Sequence, residues 1–80
     1  MSNIEKYRQA FMESFEIDEA TLGANLEYNA IPEWDSIGHM GLIAALEDTF
    51  DIAMETDDII DFSSFEKGKE VMEKYDVTIN

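Results

Sequence analysis

The stretch Trp34-Asp35-Ser36-Ile37-Gly38-His39-Met40-Gly41-Leu42-Ile43-Ala44-Ala45-Leu46-Glu47-Asp48-Thr49-Phe50 decides how this chain of 80 residues is read. Asp35 is of a type that caps helices through its side-chain oxygen, and an apolar-periodic run starts two residues later. The residues therefore predict a helix with Ser36 at about its first position. A hydroxyl there projects from the helix mouth, where unpaired amides and the positive end of the macrodipole favour an anion such as a phosphate. The same Asp-Ser pair also reads as an ordinary cap, and spacing alone leaves that alternative open.

Advancing about 100° per residue from Ser36 places Leu42, Ile43, Leu46 and Phe50 in one broad apolar arc, which is expected to face a core. A second cluster, Ile37, Met40, Gly41 and Ala44, falls on another side and is bordered by Glu47 and Asp48. Apolar residues ringed by acids beside a hydroxyl have the character of a docking surface. A larger bundle that buries both faces is the competing explanation.

Trp34-Asp35-Ser36-Ile37 followed by Leu42-Ile43-Ala44-Ala45-Leu46-Glu47-Asp48-Thr49-Phe50 resembles the Asp-Ser-Leu motif and second helix of acyl carrier proteins, and the resemblance extends over nearly the whole chain. It implies a stand-alone carrier domain over residues 1–80, folded as a four-helix bundle with a long loop between the first two helices and a short third helix. It further implies that Ser36 receives 4′-phosphopantetheine from coenzyme A through a phosphopantetheinyl transferase, with Asp35 capping the helix beside it. Acyl groups would then ride as thioesters on the terminal thiol of the arm. The implied partners are loading ligases, synthases and transferases with basic docking surfaces, met by Ile37, Met40, Gly41, Ala44, Glu47 and Asp48, while the chain itself is not an enzyme. Gly38 and Gly41 stand where such carriers often have acids, so the negative charge beside Ser36 is thinned. Aminoacyl and peptidyl carriers form a second reading; they more often have glycines before the serine, where this chain has Glu33-Trp34. A third reading is an acidic helical adaptor that masks basic surfaces, with Ser36 an ordinary cap.

Bulk properties are compatible with the first reading. A net charge of -14 arises from 19 acids against Lys6, Arg8, Lys67, Lys69 and Lys74, so positions 9 to 66 carry no lysine or arginine. Such a field repels nucleic acid and anionic membrane and steers the chain toward cationic protein surfaces. At 45% hydrophobic and 11% aromatic residues the composition is that of a folded domain rather than an acidic tail. Cysteine is absent, which excludes disulfides, thiolate metal sites and a cysteine nucleophile, so any thiol must come from a prosthetic group. The first fifteen residues lack an apolar leader core, and no run reaches membrane-spanning length. A cytoplasmic monomer is expected.

His39 lies one turn from Ser36, with Asp35 adjacent, which raises the possibility of a hydrolytic triad. Consecutive Asp35 and Ser36 project in different directions, and Trp34 stands where a nucleophile elbow needs its first glycine. His39 is instead expected at the rim of the attachment site, and a lone histidine makes no metal site. Gly38 and Gly41 each cost about 0.8 to 1 kcal/mol of helix propensity relative to alanine. Close backbone approach by a partner is the expected compensation.

The remaining chain supplies scaffold. Ile4, Tyr7, Phe11 and Phe15 recur at helical spacing and predict a first helix over Asn3–Phe15, capped by Ser2 or Asn3. Positions 16 to 33 read as a long ordered loop with a short helical turn near Asp18 to Leu22, its scattered apolar residues pinned across the bundle and Trp34 acting as a packing anchor. Thr56 is placed to cap a brief third helix containing Ile59 and Ile60. The acids Asp57, Asp58 and Asp61 do not form a calcium loop, because Ile59, Phe62 and Gly68 occupy positions that need other residues. Ser63 with Glu66 reads as a capping box opening a last helix whose buried face is Phe65, Gly68, Val71, Met72 and Tyr75. Residues 76 to 80 are expected to fray. Leu42, Ile43, Leu46, Phe50, Ile59, Ile60, Phe62 and Val71 could line an interior that shelters an acyl chain, or fill a solid core.

Overall fold

The computed structural model describes residues 2–23 and 25–79, which hold four α-helices. They are α1 (Asn3–Phe15), α2 (Ser36–Phe50), α3 (Thr56–Asp61) and α4 (Phe65–Glu73). A 3₁₀ turn, Glu19–Thr21, lies in the long connection between α1 and α2, where Asp18 accepts from the Thr21 amide. Among the described residues there is no β-strand, only an isolated antiparallel bridge between Glu27 and Ser64. The chain is a small all-helical bundle, and no described helix is long and apolar enough to cross a membrane.

Helix α1 begins at the Ser2 cap, and its stripe of Tyr7, Ala10, Phe11 and Phe15 is buried. It packs on α2, which contributes Leu42, Ile43 and Leu46 to the same cluster. Burying side chains of this kind contributes about 1.5 to 3 kcal/mol each. Phe11 is the hub: its ring meets Tyr7, Phe15, Trp34, Phe62 and Phe65 at centroid distances of 5.0 to 6.1 Å. The tilted and edge-on pairs, with one stacked pair to Phe62, match the quadrupoles of the rings. Trp34 is completely buried, so the loop before α2 is anchored at its end as the sequence predicts.

Helix α4 lies close to α1. The buried Tyr7 hydroxyl donates to the Phe65 carbonyl across 2.7 Å, and a side chain at Gly68 would collide with that hydroxyl and with the Phe62 ring. The short α3 is tied to α4 through Asp58, whose carboxylate accepts from Lys74 Nζ at 2.9 Å and from the Tyr75 hydroxyl. Tyr75 in turn accepts from the Glu55 amide at 2.9 Å.

Three local expectations are corrected. Helix α4 is capped by Ser64, which accepts from the Lys67 amide at 2.9 Å, rather than by Ser63. The cause is tertiary: the Ser63 carbonyl is taken by the Tyr28 amide and the Phe65 amide by the Leu26 carbonyl, which sets the entry one residue later. Thr56 is the first residue of α3 rather than its cap, and Glu55 before it makes no side-chain cap bond. The tail does not fray from residue 76, because Val77 is buried, its amide bonds to the Met72 carbonyl, and Asn3 donates to the Thr78 carbonyl across 3.0 Å; Asn80 lies outside the described residues.

Candidate functional site

Ser36 is the first residue of α2 and is exposed. The capping task falls entirely to Asp35, whose Oδ1 accepts from the Gly38 amide at 2.8 Å. The serine hydroxyl is consequently spared that task, and its polar neighbour is the Tyr28 hydroxyl at 3.0 Å.

The loop before α2 brings Tyr28 there by a series of tight bonds. The Asn29 amide reaches forward to the Trp34 carbonyl, while the Ala30 amide reaches back to Glu27 and the Trp34 amide to Ile31, with Asn29 in the left-handed region at φ 68°. Asparagine tolerates that conformation better than most residues. A side chain at Gly38 would strike the Glu33 carbonyl oxygen, so the missing Cβ is what lets this loop fold onto the start of α2. The compensation expected from a partner is therefore supplied, at Gly38, by the chain itself. Gly41 has open space around its Cβ position.

His39 is not a simple rim residue. It is half-buried, with Nδ1 accepting from the Trp34 indole at 2.9 Å and Nε2 lying 2.8 Å from the Ile59 carbonyl oxygen. The ring thereby joins the loop, α2 and α3. It stands edge-on to the Tyr28 ring with centroids 5.7 Å apart. A hydrolytic arrangement with Ser36 is not formed, since both ring nitrogens are engaged elsewhere and Asp35 is turned to Gly38.

Beside Ser36 opens a cleft of about 430 Å³ between the start of α2 and α3. Met40, Ile59, Ile60 and Phe62 supply its apolar walls, while Tyr28, Ser36, His39 and Ser63 complete the lining. Ile60, expected inside, is 71% exposed on its outer wall. The interior is filled by Tyr7, Phe11, Phe15, Trp34 and Phe62, each at most 1% exposed, so the apolar space beside Ser36 is a surface cleft rather than a cavity in the core.

The other singled-out residues divide. Ile37 at 85% and Met40 at 56% are strongly exposed for apolar side chains, and Gly41, Ala44 and Asp48 are also exposed. Glu47 is half-buried instead, because its carboxylate accepts from the Met54 amide at 2.8 Å and holds the segment after α2. Three ion pairs occur among the described residues, Arg8 with Glu19, Lys69 with Glu66 and Lys74 with Asp58, and none involves a residue of α2. The carboxylates of α2 are thus not ion-paired by the chain's own cations.

Sequence reasoning missed Tyr28 and Ser63 as companions of Ser36, while Ile59, Ile60 and Phe62, expected to line an interior for an acyl chain, line the surface cleft instead. Tyr28 is eight residues away across an irregular loop, and Ser63 belongs to another part of the chain, so no periodicity connects them to Ser36. The only signal was that a loop this long in a small domain usually has work to do. No protein-family model, curated protein or solved structure matches this chain.

Proposed function

We propose that this chain is a carrier domain of the acyl carrier type, modified on Ser36 by 4′-phosphopantetheine from coenzyme A and itself without catalytic activity. The observation that carries the reading is an exposed serine hydroxyl at a helix start, relieved of capping by Asp35 and opening directly onto an apolar cleft. The residues present fit such a group: Ser36 is accessible to a modifying enzyme, and Met40, Ile59 and Ile60 offer an apolar surface alongside it. In the modification Ser36 Oγ loses its proton to a base of the transferase and forms the ester bond to phosphorus, as the bond to the adenosine bisphosphate leaving group breaks. The bound group supplies a thiol, which a chain without cysteine lacks. Asp35 keeps the first turn of α2 intact, and Ile37, Met40, Gly41, Ala44 and Asp48 present a rimmed surface to cationic partner enzymes. Glu47 serves that surface indirectly by holding the segment after α2.

The test is direct. The purified protein is incubated with coenzyme A, magnesium and a broad-specificity phosphopantetheinyl transferase, and its intact mass is measured beside that of Ser36→Ala. A gain equal to one phosphopantetheinyl group in the wild type, lost in the variant, is expected. An unchanged wild-type mass overturns the reading and favours an acidic adaptor with no covalent group.

A further inference from the structure

We infer that Tyr28 is a positioning residue for the phosphodiester on Ser36, an uncharged donor that holds the modified serine against the cleft; the inference rests on the carrier reading above. Its starting point is the pairing of the Tyr28 and Ser36 hydroxyls across 3.0 Å.

The tyrosine is held in place from three sides. Its amide donates to the Ser63 carbonyl at 2.9 Å, and the neighbouring Leu26 carbonyl accepts from the Phe65 amide at 2.8 Å, so residues 26 to 28 are strapped to the segment that enters α4. Its ring rests edge-on against His39, at 85° between planes, and His39 is itself bonded to the buried Trp34 and to Ile59. A chain of contacts therefore runs from the fully buried indole, through the imidazole and the phenol, to the attachment oxygen. A site whose supporting groups are locked in this way holds geometry more closely than a free surface side chain does.

The chemistry of the two hydroxyls makes the pairing directional after modification. In the unmodified protein either oxygen can donate. Once Ser36 Oγ is an ester oxygen it has no hydrogen, so a surviving bond must have Tyr28 donating to the ester oxygen or to a charged phosphate oxygen. Hydrogen bonds to an ionised acceptor are stronger than those between neutral groups.

The location adds the need for it. A phosphodiester on Ser36 lies next to Asp35 and close to Glu33 in sequence, and positions 9 to 66 provide no lysine or arginine to offset its charge. Besides the first-turn amides of α2 and the Ser63 hydroxyl, the phenol of Tyr28 is the side-chain donor already paired with Ser36, and it faces Ser36 from the cleft lining. Tyr28 thus favours an attached group on the cleft side of α2.

Tyr28→Phe isolates the role, since it keeps the ring against His39 and removes the hydroxyl alone. Wild type and variant are each loaded with coenzyme A, magnesium and the broad-specificity transferase. They are compared by phosphorus-31 NMR, by nuclear Overhauser contacts from the arm to the methyl groups of Met40 and Ile60, and by thermal melting. The expected result is a displaced phosphorus resonance in Y28F and a roughly tenfold fall in the docked-to-undocked ratio of the arm, the lower end of the range for a hydrogen bond to a charged group. A merely structural tyrosine would shift the melt and leave the phosphorus signal in place. If Y28F melts well below the wild type, the wild type decides alone: Overhauser contacts from the Tyr28 ring protons to the methylene of the arm next to phosphorus support the inference, and their absence overturns it. Loaded proteins with coincident phosphorus spectra and equal arm contacts overturn the inference while the carrier reading stands. A wild type that accepts no group at all overturns both.

Discussion

The indole Nε1–H of Trp34 donates to Nδ1 of His39 across 2.9 Å, and because an indole nitrogen can only donate, the imidazole must present Nδ1 as an acceptor. The ring hydrogen therefore sits on Nε2, which donates to the Ile59 carbonyl at 2.8 Å. Nitrogen-15 NMR of the neutral imidazole is expected to report the Nε2–H tautomer. His39→Ala leaves a buried Trp34 N–H without its partner, so unfolding in urea, followed by tryptophan fluorescence, is expected to show a loss of about 1 to 3 kcal/mol. An unaltered midpoint would contradict the bridge.

The pH dependence of stability follows from the ties between α3 and α4. The bond from Tyr75, and then that from Lys74, hold the Asp58 carboxyl below its ordinary value of 3.8, so its contribution is complete above that pH and is lost as the pH falls through the lower folded value. Lys74 is raised above 10.5 by its bond to Asp58, and Tyr75 is raised above 10.0 by burial and then by the same carboxylate. Tyr7 is raised as well, by burial and then by Glu66. For all three the folded state keeps its proton longer than the unfolded chain, so their stabilisation is complete below about pH 10 and declines as the pH rises. Melting temperature against pH is expected to fall at both ends, and Asp58→Asn is expected to flatten the acid limb.

Two glycines of α2 should respond oppositely to the same substitution. Gly41→Ala meets open space and gains helix propensity, so an increase in stability of about 0.8 to 1 kcal/mol is expected. Gly38→Ala drives a methyl group into the backbone carbonyl of Glu33, which cannot rotate away as a side chain would, and a net loss of about 1 to 3 kcal/mol is expected. Chemical denaturation of the pair checks both signs. Equal effects would mean that the loop before α2 is not seated as described.

Helix α1 ends on Glu16 in the left-handed conformation, at φ 54°, with the Glu16 and Ile17 amides both bonded to the Met12 carbonyl. That conformation costs an L-residue roughly 1 to 2 kcal/mol, and a carboxylate at a helix C-terminus opposes the dipole. Glu16→Gly relieves both and keeps the stop. After the added freedom of the unfolded chain is counted, a gain of about 1 kcal/mol is expected, read as a higher urea midpoint at unchanged slope.

Much of the architecture follows from the order of residues alone, because helical periodicity and capping chemistry act within a few positions. The face of α1, the start of α2 at Asp35, the short turn after Asp18 and the burial of Trp34 all belong to that class. So does the choice of Ser36, since its interest rests on the helix immediately behind it. What needed the tertiary structure was everything that depends on segments meeting. The cap moved from Ser63 to Ser64 because the loop at Leu26 and Tyr28 claims the intervening backbone groups. Gly38 is small because Glu33 folds back upon it, His39 joins three segments, and Tyr28, Ile60 and Ser63 gather around Ser36. Local bonding preferences are written in neighbouring residues, whereas the cleft exists only once distant side chains have been packed around the aromatic core.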